Sequence, residues 1–209
     1  MSFRVIVLLV LCVAPGAFAA GDPASGQKAF AGCAACHGSN GEGNAALHAP
    51  ALAGQDAAYL ARQMRNYRTG LRGGPGSDTY AQQMRGMSMS LPEASIEDVS
   101  AWLASLPAPQ PGARLAGDLR NGNNLWQGKC GACHGSAGEG YPALNAPRLR
   151  GQDAGYLRRQ FLAFRAGERG AHPQDTYGKQ MALMARTLDP GTELDDVLAW
   201  LRAQDASSP

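Results

Sequence analysis

The pentapeptide Cys33-Ala34-Ala35-Cys36-His37 returns 97 residues later as Cys130-Gly131-Ala132-Cys133-His134. Cys-x-x-Cys-His is the spacing that attaches c-type haem. Two thiols three positions apart each add to one vinyl group of the porphyrin, and the next residue lies where its imidazole reaches the iron. On this reading Cys33, Cys36, Cys130 and Cys133 hold two covalent haem c groups, with His37 and His134 as proximal ligands. A zinc ribbon would set its two Cys-x-x-Cys pairs about 15–20 residues apart, and a thioredoxin-like dithiol would sit in a βαβ context. Neither pattern is present.

The compartment implied by the first residues suits that chemistry. Residues 1–20 carry one basic residue, Arg4, then the apolar run 5–13, a break at Pro15-Gly16 and the ending Ala17-Phe18-Ala19. That is the pattern of a cleaved secretory signal peptide, and it predicts a periplasmic protein. The apolar run is shorter than the roughly 20 residues that cross a bilayer, so no transmembrane anchor is expected in the mature chain. Cys12 leaves with the signal, and the other four cysteines are used by two haems, so no disulfide is expected.

Other residues repeat at the same distance. Gly54-Gln55-Asp56 matches Gly151-Gln152-Asp153, Tyr59-Leu60 matches Tyr156-Leu157, and Asp78-Thr79-Tyr80 matches Asp175-Thr176-Tyr177. A duplication into two domains is the natural reading, over residues 21–106 and 117–209. Between them, residues 107–116 begin Pro107-Ala108-Pro109-Gln110-Pro111, too rich in proline for a helix interior. Asp56 and Asp153 stand as N-caps of helices that run to about Gly70 and Gly167. Ile96, Val99, Trp102 and Leu103, and likewise Leu194, Val197, Trp200 and Leu201, form one face of a last helix in each half. Ser95 and Thr192 are the expected caps of those helices. No segment alternates as a strand does, so the fold class is all-α.

An iron closed by methionine or histidine suits electron transfer, whereas an open position admits small ligands. At the 97-residue offset His48 faces Asn145 and His172 faces Pro75, so neither histidine belongs to the duplicated machinery, and both are expected on the surface or in loops. Met64 and Met89 are unmatched too. Met84 pairs with Met181, and Met87 with Met184, which leaves two candidate sets of distal ligands. Pro50 and Pro147 follow their motifs at equal distance, and each can offer a carbonyl to the proximal imidazole.

The signal peptide, the two attachment motifs, the segments Pro50-Ala51-Leu52-Ala53-Gly54-Gln55 and Pro147-Arg148-Leu149-Arg150-Gly151-Gln152, and the methionine clusters resemble the cytochrome c4 family of periplasmic di-haem proteins. That resemblance implies two tandem class I cytochrome c domains related by pseudo-twofold symmetry, with the haem propionates close to the interface. It also implies that the ligand methionine lies seven positions before the leucine introducing the last helix. With Leu91 and Leu188 in that role, Met84 and Met181 are selected. The function implied is a single-electron shuttle between a membrane quinol-oxidising complex and a terminal oxidase. The alternative is a di-haem electron-accepting subunit of a flavocytochrome c sulfide dehydrogenase-type complex. Neither role is enzymatic in itself, and a peroxidase would need one iron able to lose its distal ligand. The first domain carries six basic and seven acidic residues, and the chain from 107 onward twelve and ten. Without a basic run, nucleic acid is not an expected partner.

Overall fold

The computed structural model describes residues 21–109 and 112–204. The proposed signal peptide lies outside the described residues, as do Gln110 and Pro111 of the linker. The first half contains α1 (Pro23–Ala29), α2 (Ala34–His37), α3 (Ala57–Arg68), α4 (Thr79–Ser90) and α5 (Glu93–Ser105). The second repeats them as α6 (Leu119–Lys129), α7 (Gly131–His134), α8 (Ala154–Ala166), α9 (Thr176–Ala185) and α10 (Thr192–Gln204). Among the described residues there is no strand, only the isolated bridges Asn44 to Ala49 and Tyr141 to Ala146. The all-α expectation holds.

In each half the first helix crosses the last, and a glycine permits the approach. A Cβ on Gly26 would lie 2.0 Å from the Asp98 carbonyl oxygen, and one on Gly122 would lie 2.1 Å from that of Asp196. Beneath the first crossing, Phe30 meets Trp102 with ring centroids 4.8 Å apart, and both pack with Leu60, Val99 and Leu103. Beneath the second, Trp126 meets Trp200 at 5.3 Å among Leu194, Val197 and Leu201. The apolar faces read from the sequence are therefore the two cores, and their burial is the main favourable contribution to each fold.

The caps follow the sequence in part. The Asp56 carboxylate accepts from the Tyr59 N–H and that of Asp153 from Tyr156, as expected of N-caps. Gly167 closes α8 in the left-handed conformation at φ 80°, whereas α3 closes at Thr69, one residue before Gly70. Ser95 and Thr192 do not cap. α5 begins a turn earlier, directly after Pro92, whose fixed φ suits the approach to a helix, and Ser95 lies inside it. Thr192 is the first residue of α10, and Asp189 does the capping: it accepts the Gly191 N–H on its carboxylate and the Leu194 N–H on its carbonyl.

The methionine segments form helices that the sequence pattern did not announce. Their starts are capped by Asp78, which accepts from Ala81, and by Asp175, which accepts from Gly178. Their far ends are held by arginines 97 residues apart. Arg68 donates to the carbonyl of Leu91, and Arg165 donates to those of Ala185 and Leu188, each at 3.0 Å.

Candidate functional site

Each attachment motif is a single helical turn, so its first cysteine, second cysteine and histidine emerge on one side. His37 Nδ1 lies 2.9 Å from the Pro50 carbonyl oxygen, and His134 Nδ1 lies 3.0 Å from that of Pro147. A carbonyl can only accept, so Nδ1 carries the proton in both rings. Burial pushes both imidazoles below the ordinary histidine value, against the opposing effect of those hydrogen bonds. Each ring is thus neutral at pH 7, with an unprotonated Nε2 able to bind a metal.

None of the four motif cysteines is in a disulfide, which leaves all four sulfurs available for thioether bonds. Burial raises Cys33 above the usual thiol value and pushes Cys130 up to about 11. A redox dithiol is activated by the opposite shift, and among the described residues no cluster of three or more His, Cys, Asp or Glu could hold a bare metal ion.

A crevice open to solvent runs from Cys33, Cys36 and His37 past Leu52, Leu60 and Val99 to Met64, Met84 and Met87. Its lining is largely apolar, with two thiols and an imidazole on one side and thioethers among the other lining groups. Arg72 borders the same crevice, buried, with a guanidinium Nε that has no hydrogen-bond partner. An apolar macrocycle with acidic side groups, held by thioether bonds and ligated through iron, fits this donor set. Met84 is half-buried, whereas Met87 is 49% exposed. In the second half Met181 is half-buried against Phe164, Ala182 and Ala185, whereas Met184 is 41% exposed.

Pro147, Arg148, Gln152 and Tyr156 of the second half line the crevice beside His37 too, and the two halves meet across an interface with approximate twofold symmetry. Gln55 accepts from the Arg148 N–H and donates to the Arg148 carbonyl, both at 2.9 Å. Gln152 does the same to Ala51, at 2.8 and 2.9 Å. Arg72 donates to Gln63 and Gln160 at 2.9 and 2.7 Å, and Arg169 donates to the same two oxygens at 3.1 and 2.6 Å. Neither guanidinium is in an ion pair among the described residues. Burial alone would raise the Tyr156 hydroxyl, yet the charges of Arg72 and Arg169 outweigh it and bring that hydroxyl below the ordinary tyrosine value.

His48 is exposed in a loop, as expected, but its position is nonetheless part of the repeated contacts. It occupies the position equivalent to Asn145, and both residues adopt φ 56°. Arg159 donates to the His48 carbonyl at 2.9 Å, and Arg62 donates to that of Asn145 at the same distance. The same arginines also reach the two side chains, Arg62 at Asn145 Oδ1 (2.7 Å) and Arg159 at His48 Nδ1 (3.2 Å), so the symmetry repeats both contacts although the residue types differ. His172 is exposed, as expected. The interface arginines and Gln63 with Gln160 were missed by the sequence reading, although the same 97-residue spacing relates them.

Fold and site together define a c-type cytochrome with two haem groups. The Cytochrome c family profile matches residues 23–107 and 119–205. The chain is 38% identical to cytochrome c4 of Azotobacter vinelandii over 174 residues, covering 79% of this chain and 82% of that protein. It is 37% identical to the thiosulfate dehydrogenase electron acceptor of Stutzerimonas stutzeri (strain A1501), covering 70% and 68%. The crystal structure of reduced recombinant cytochrome c4 from Pseudomonas stutzeri superposes with a TM-score of 0.70 at 29% identity, over 88% of this chain and 98% of that one. The chain belongs to the cytochrome c4 family. It carries two covalently bound haem c groups and transfers electrons.

Proposed function

We propose that the protein is a periplasmic shuttle that accepts single electrons from a membrane quinol-oxidising complex and delivers them to a terminal oxidase. Cys33, Cys36, Cys130 and Cys133 bond the haems, and His37 with Met84 and His134 with Met181 ligate the irons. The observation that carries this reading is the duplicated pair of half-buried methionines, Met84 at the crevice and Met181 at the equivalent position of the second half, which would close both irons to exogenous ligands. When bound, the haem supplies one-electron Fe(II)/Fe(III) chemistry. The protein's residues do the rest. Pro50 and Pro147 fix the imidazole tautomer, Arg68 and Arg165 hold the methionine helices, and the apolar lining limits the entry of water.

No helix among the described residues is long and apolar enough to cross a membrane. Stopped-flow reduction by solubilised membranes with quinol, followed by oxidation on adding an oxidase preparation, tests the shuttle. Turnover with neither would refute it.

A second reading makes the protein the electron acceptor of a dehydrogenase acting on reduced sulfur. Its similarity to a thiosulfate dehydrogenase electron acceptor favours this, and it keeps the same haem ligation. The flavocytochrome-type partner implied by the sequence is one form of such a complex. Stable co-purification with a dehydrogenase, and reduction by thiosulfate or sulfide only when that partner is present, would decide for it.

A further inference from the structure

The peptide group joining Pro50 to Ala51 has both of its polar atoms committed. Its carbonyl accepts from His37 Nδ1 at 2.9 Å, and its N–H donates to Gln152 Oε1 at 2.8 Å. Gln152 belongs to the other domain. The mirror arrangement is complete: His134 donates to the Pro147 carbonyl, and the N–H of that same peptide, on Arg148, donates to Gln55 Oε1. Each glutamine is held at its second end, because Gln152 Nε2 donates to the Ala51 carbonyl and Gln55 Nε2 to that of Arg148.

We infer that Gln152 and Gln55 are positioning residues that act across the domain interface, each tuning the proximal histidine of the other domain's haem. The proposal rests on the ligand assignment above, and its physical basis is amide resonance. A peptide C–N bond has partial double-bond character, so an acceptor placed on the N–H draws electron density toward the carbonyl oxygen. Hydrogen bonds in such a chain strengthen one another, by roughly 10–30% per bond. A better carbonyl acceptor pulls harder on the imidazole proton and makes the ring a more basic ligand. A more basic ligand favours Fe(III) over Fe(II) and lowers the potential.

The two chains run in opposite directions through one interface. Gln152 therefore bears on the haem attached at Cys33 and Cys36, and Gln55 on the haem attached at Cys130 and Cys133. Separating or reshaping the interface would change both proximal ligands together, so docking of a partner against both domains has a direct route to both potentials.

The test uses the holoprotein with histidine labelled at nitrogen, in the reduced and diamagnetic state, with the Nδ1–H resonances of His37 and His134 read by NMR. Gln152→Leu removes the acceptor and should move the His37 resonance upfield while leaving His134 nearly in place. Gln55→Leu should do the reverse. Gln152→Glu strengthens the acceptor on the Ala51 N–H and gives up the bond from Nε2 to the Ala51 carbonyl, which lies outside the path to His37, so His37 should move downfield. Where a leucine variant fails to fold, the glutamate variants carry the test alone. In redox titration Gln152→Leu should raise the potential of the haem on Cys33 and Cys36 by the equivalent of about threefold in its reduction equilibrium, by the cooperativity argument.

Movement of the histidine in the glutamine's own domain, or of neither histidine, would overturn the proposal. So would leucine and glutamate variants that shift His37 in the same direction. Wild-type protein lacking two haems by denaturing mass spectrometry would instead sink the ligand assignment beneath it.

Discussion

Gly26→Ala should loosen the first domain even though alanine is the better helix former. The added Cβ would stand 2.0 Å from the Asp98 carbonyl oxygen and 2.9 Å from the Val99 nitrogen. Ordinary contact begins near 3.4 Å, so α1 and α5 must part by about 1.4 Å, or one must rotate. A gap of 0.5–1 Å already forfeits a quarter to a half of each contact's attraction, and each contact contributes about 0.1–0.2 kcal/mol. Across a few tens of contacts among Phe30, Val99, Trp102 and Leu103 the loss is about 1–3 kcal/mol. The hydrogen bond from the Asp22 N–H to the Asp98 carboxylate, 2.7 Å long, is strained as well, for about 0.5–1.5 kcal/mol. Helix propensity returns about 0.5–1 kcal/mol, which leaves a net destabilisation of about 0.5–4 kcal/mol. Gly86→Ala is the matched control: it lies inside α4, and a Cβ there would meet nothing within 4 Å. It should stabilise by about 0.5–1 kcal/mol if it is free of new contacts. Guanidinium unfolding of the holoprotein, followed by circular dichroism in the haem band, measures both. If Gly26→Ala shifts the midpoint upward as Gly86→Ala does, the close helix crossing is not what the glycine serves.

Other outcomes follow from the site and the helix ends. Met84→Ala and Met181→Ala should each abolish about half of the far-red sulfur-to-iron charge-transfer band, at one thioether ligand per haem; Met87→Ala and Met184→Ala should leave it intact, and loss of the band in Met87→Ala would shift the assignment by one helical turn. Arg165→Met removes the bonds to the carbonyls of Ala185 and Leu188, so the share of that band belonging to Met181 should weaken and become steeply temperature-dependent, and absorbance on warming would show it. The Asp196 carboxylate is held below the ordinary aspartate value by the Asn121 side chain first and then by the Asp118 N–H. A depressed folded value means that its contribution is complete above the unfolded value of 3.8 and is lost as pH falls through the folded one. Stability of the second half should therefore be insensitive to this group between pH 5 and 7 and should drop on further acidification, a step that Asp196→Asn should diminish in pH-dependent unfolding.

Legibility in the sequence tracked the range of the interactions. The attachment motifs, the caps Asp56 and Asp153, and the apolar faces of the last helices are set within a few turns of chain, and each was read from residue types alone. α4 and α9 were not, because neither carries an apolar stripe. The buried positions of α4 reduce to Ser88, and those of α9 are Gly178, Ala182 and Ala185. These helices are held at their ends by an aspartate and by an arginine from the preceding helix, a contact that spans about twenty residues and leaves no periodic trace. Ser95 misled for a related reason, since Pro92 starts its helix a turn earlier than the best capping side chain would suggest.

Polar repeats carried more than was read from them. In a structure with approximate twofold symmetry, a residue and its copy lie on the two sides of the same contact. A duplicated residue that the core of neither half requires is thus a candidate for the interface between them. Gln55 and Gln152 meet that description: they are polar, they repeat at the haem spacing, and each satisfies a main-chain group in the opposite half. Tyr59 and Tyr156 also repeat and reach across, but to side chains, accepting from Arg169 and Arg72. The criterion fails at His48 and Asn145, which differ in type yet are gripped alike: each arginine donates to the carbonyl of a left-handed residue and also reaches an acceptor on its side chain. Asparagine and histidine are among the side chains that tolerate that conformation better than most. Identity at an offset finds contacts that need one particular side chain, whereas contacts that two different residues can make have to be sought in the conformation and the acceptor atoms they share.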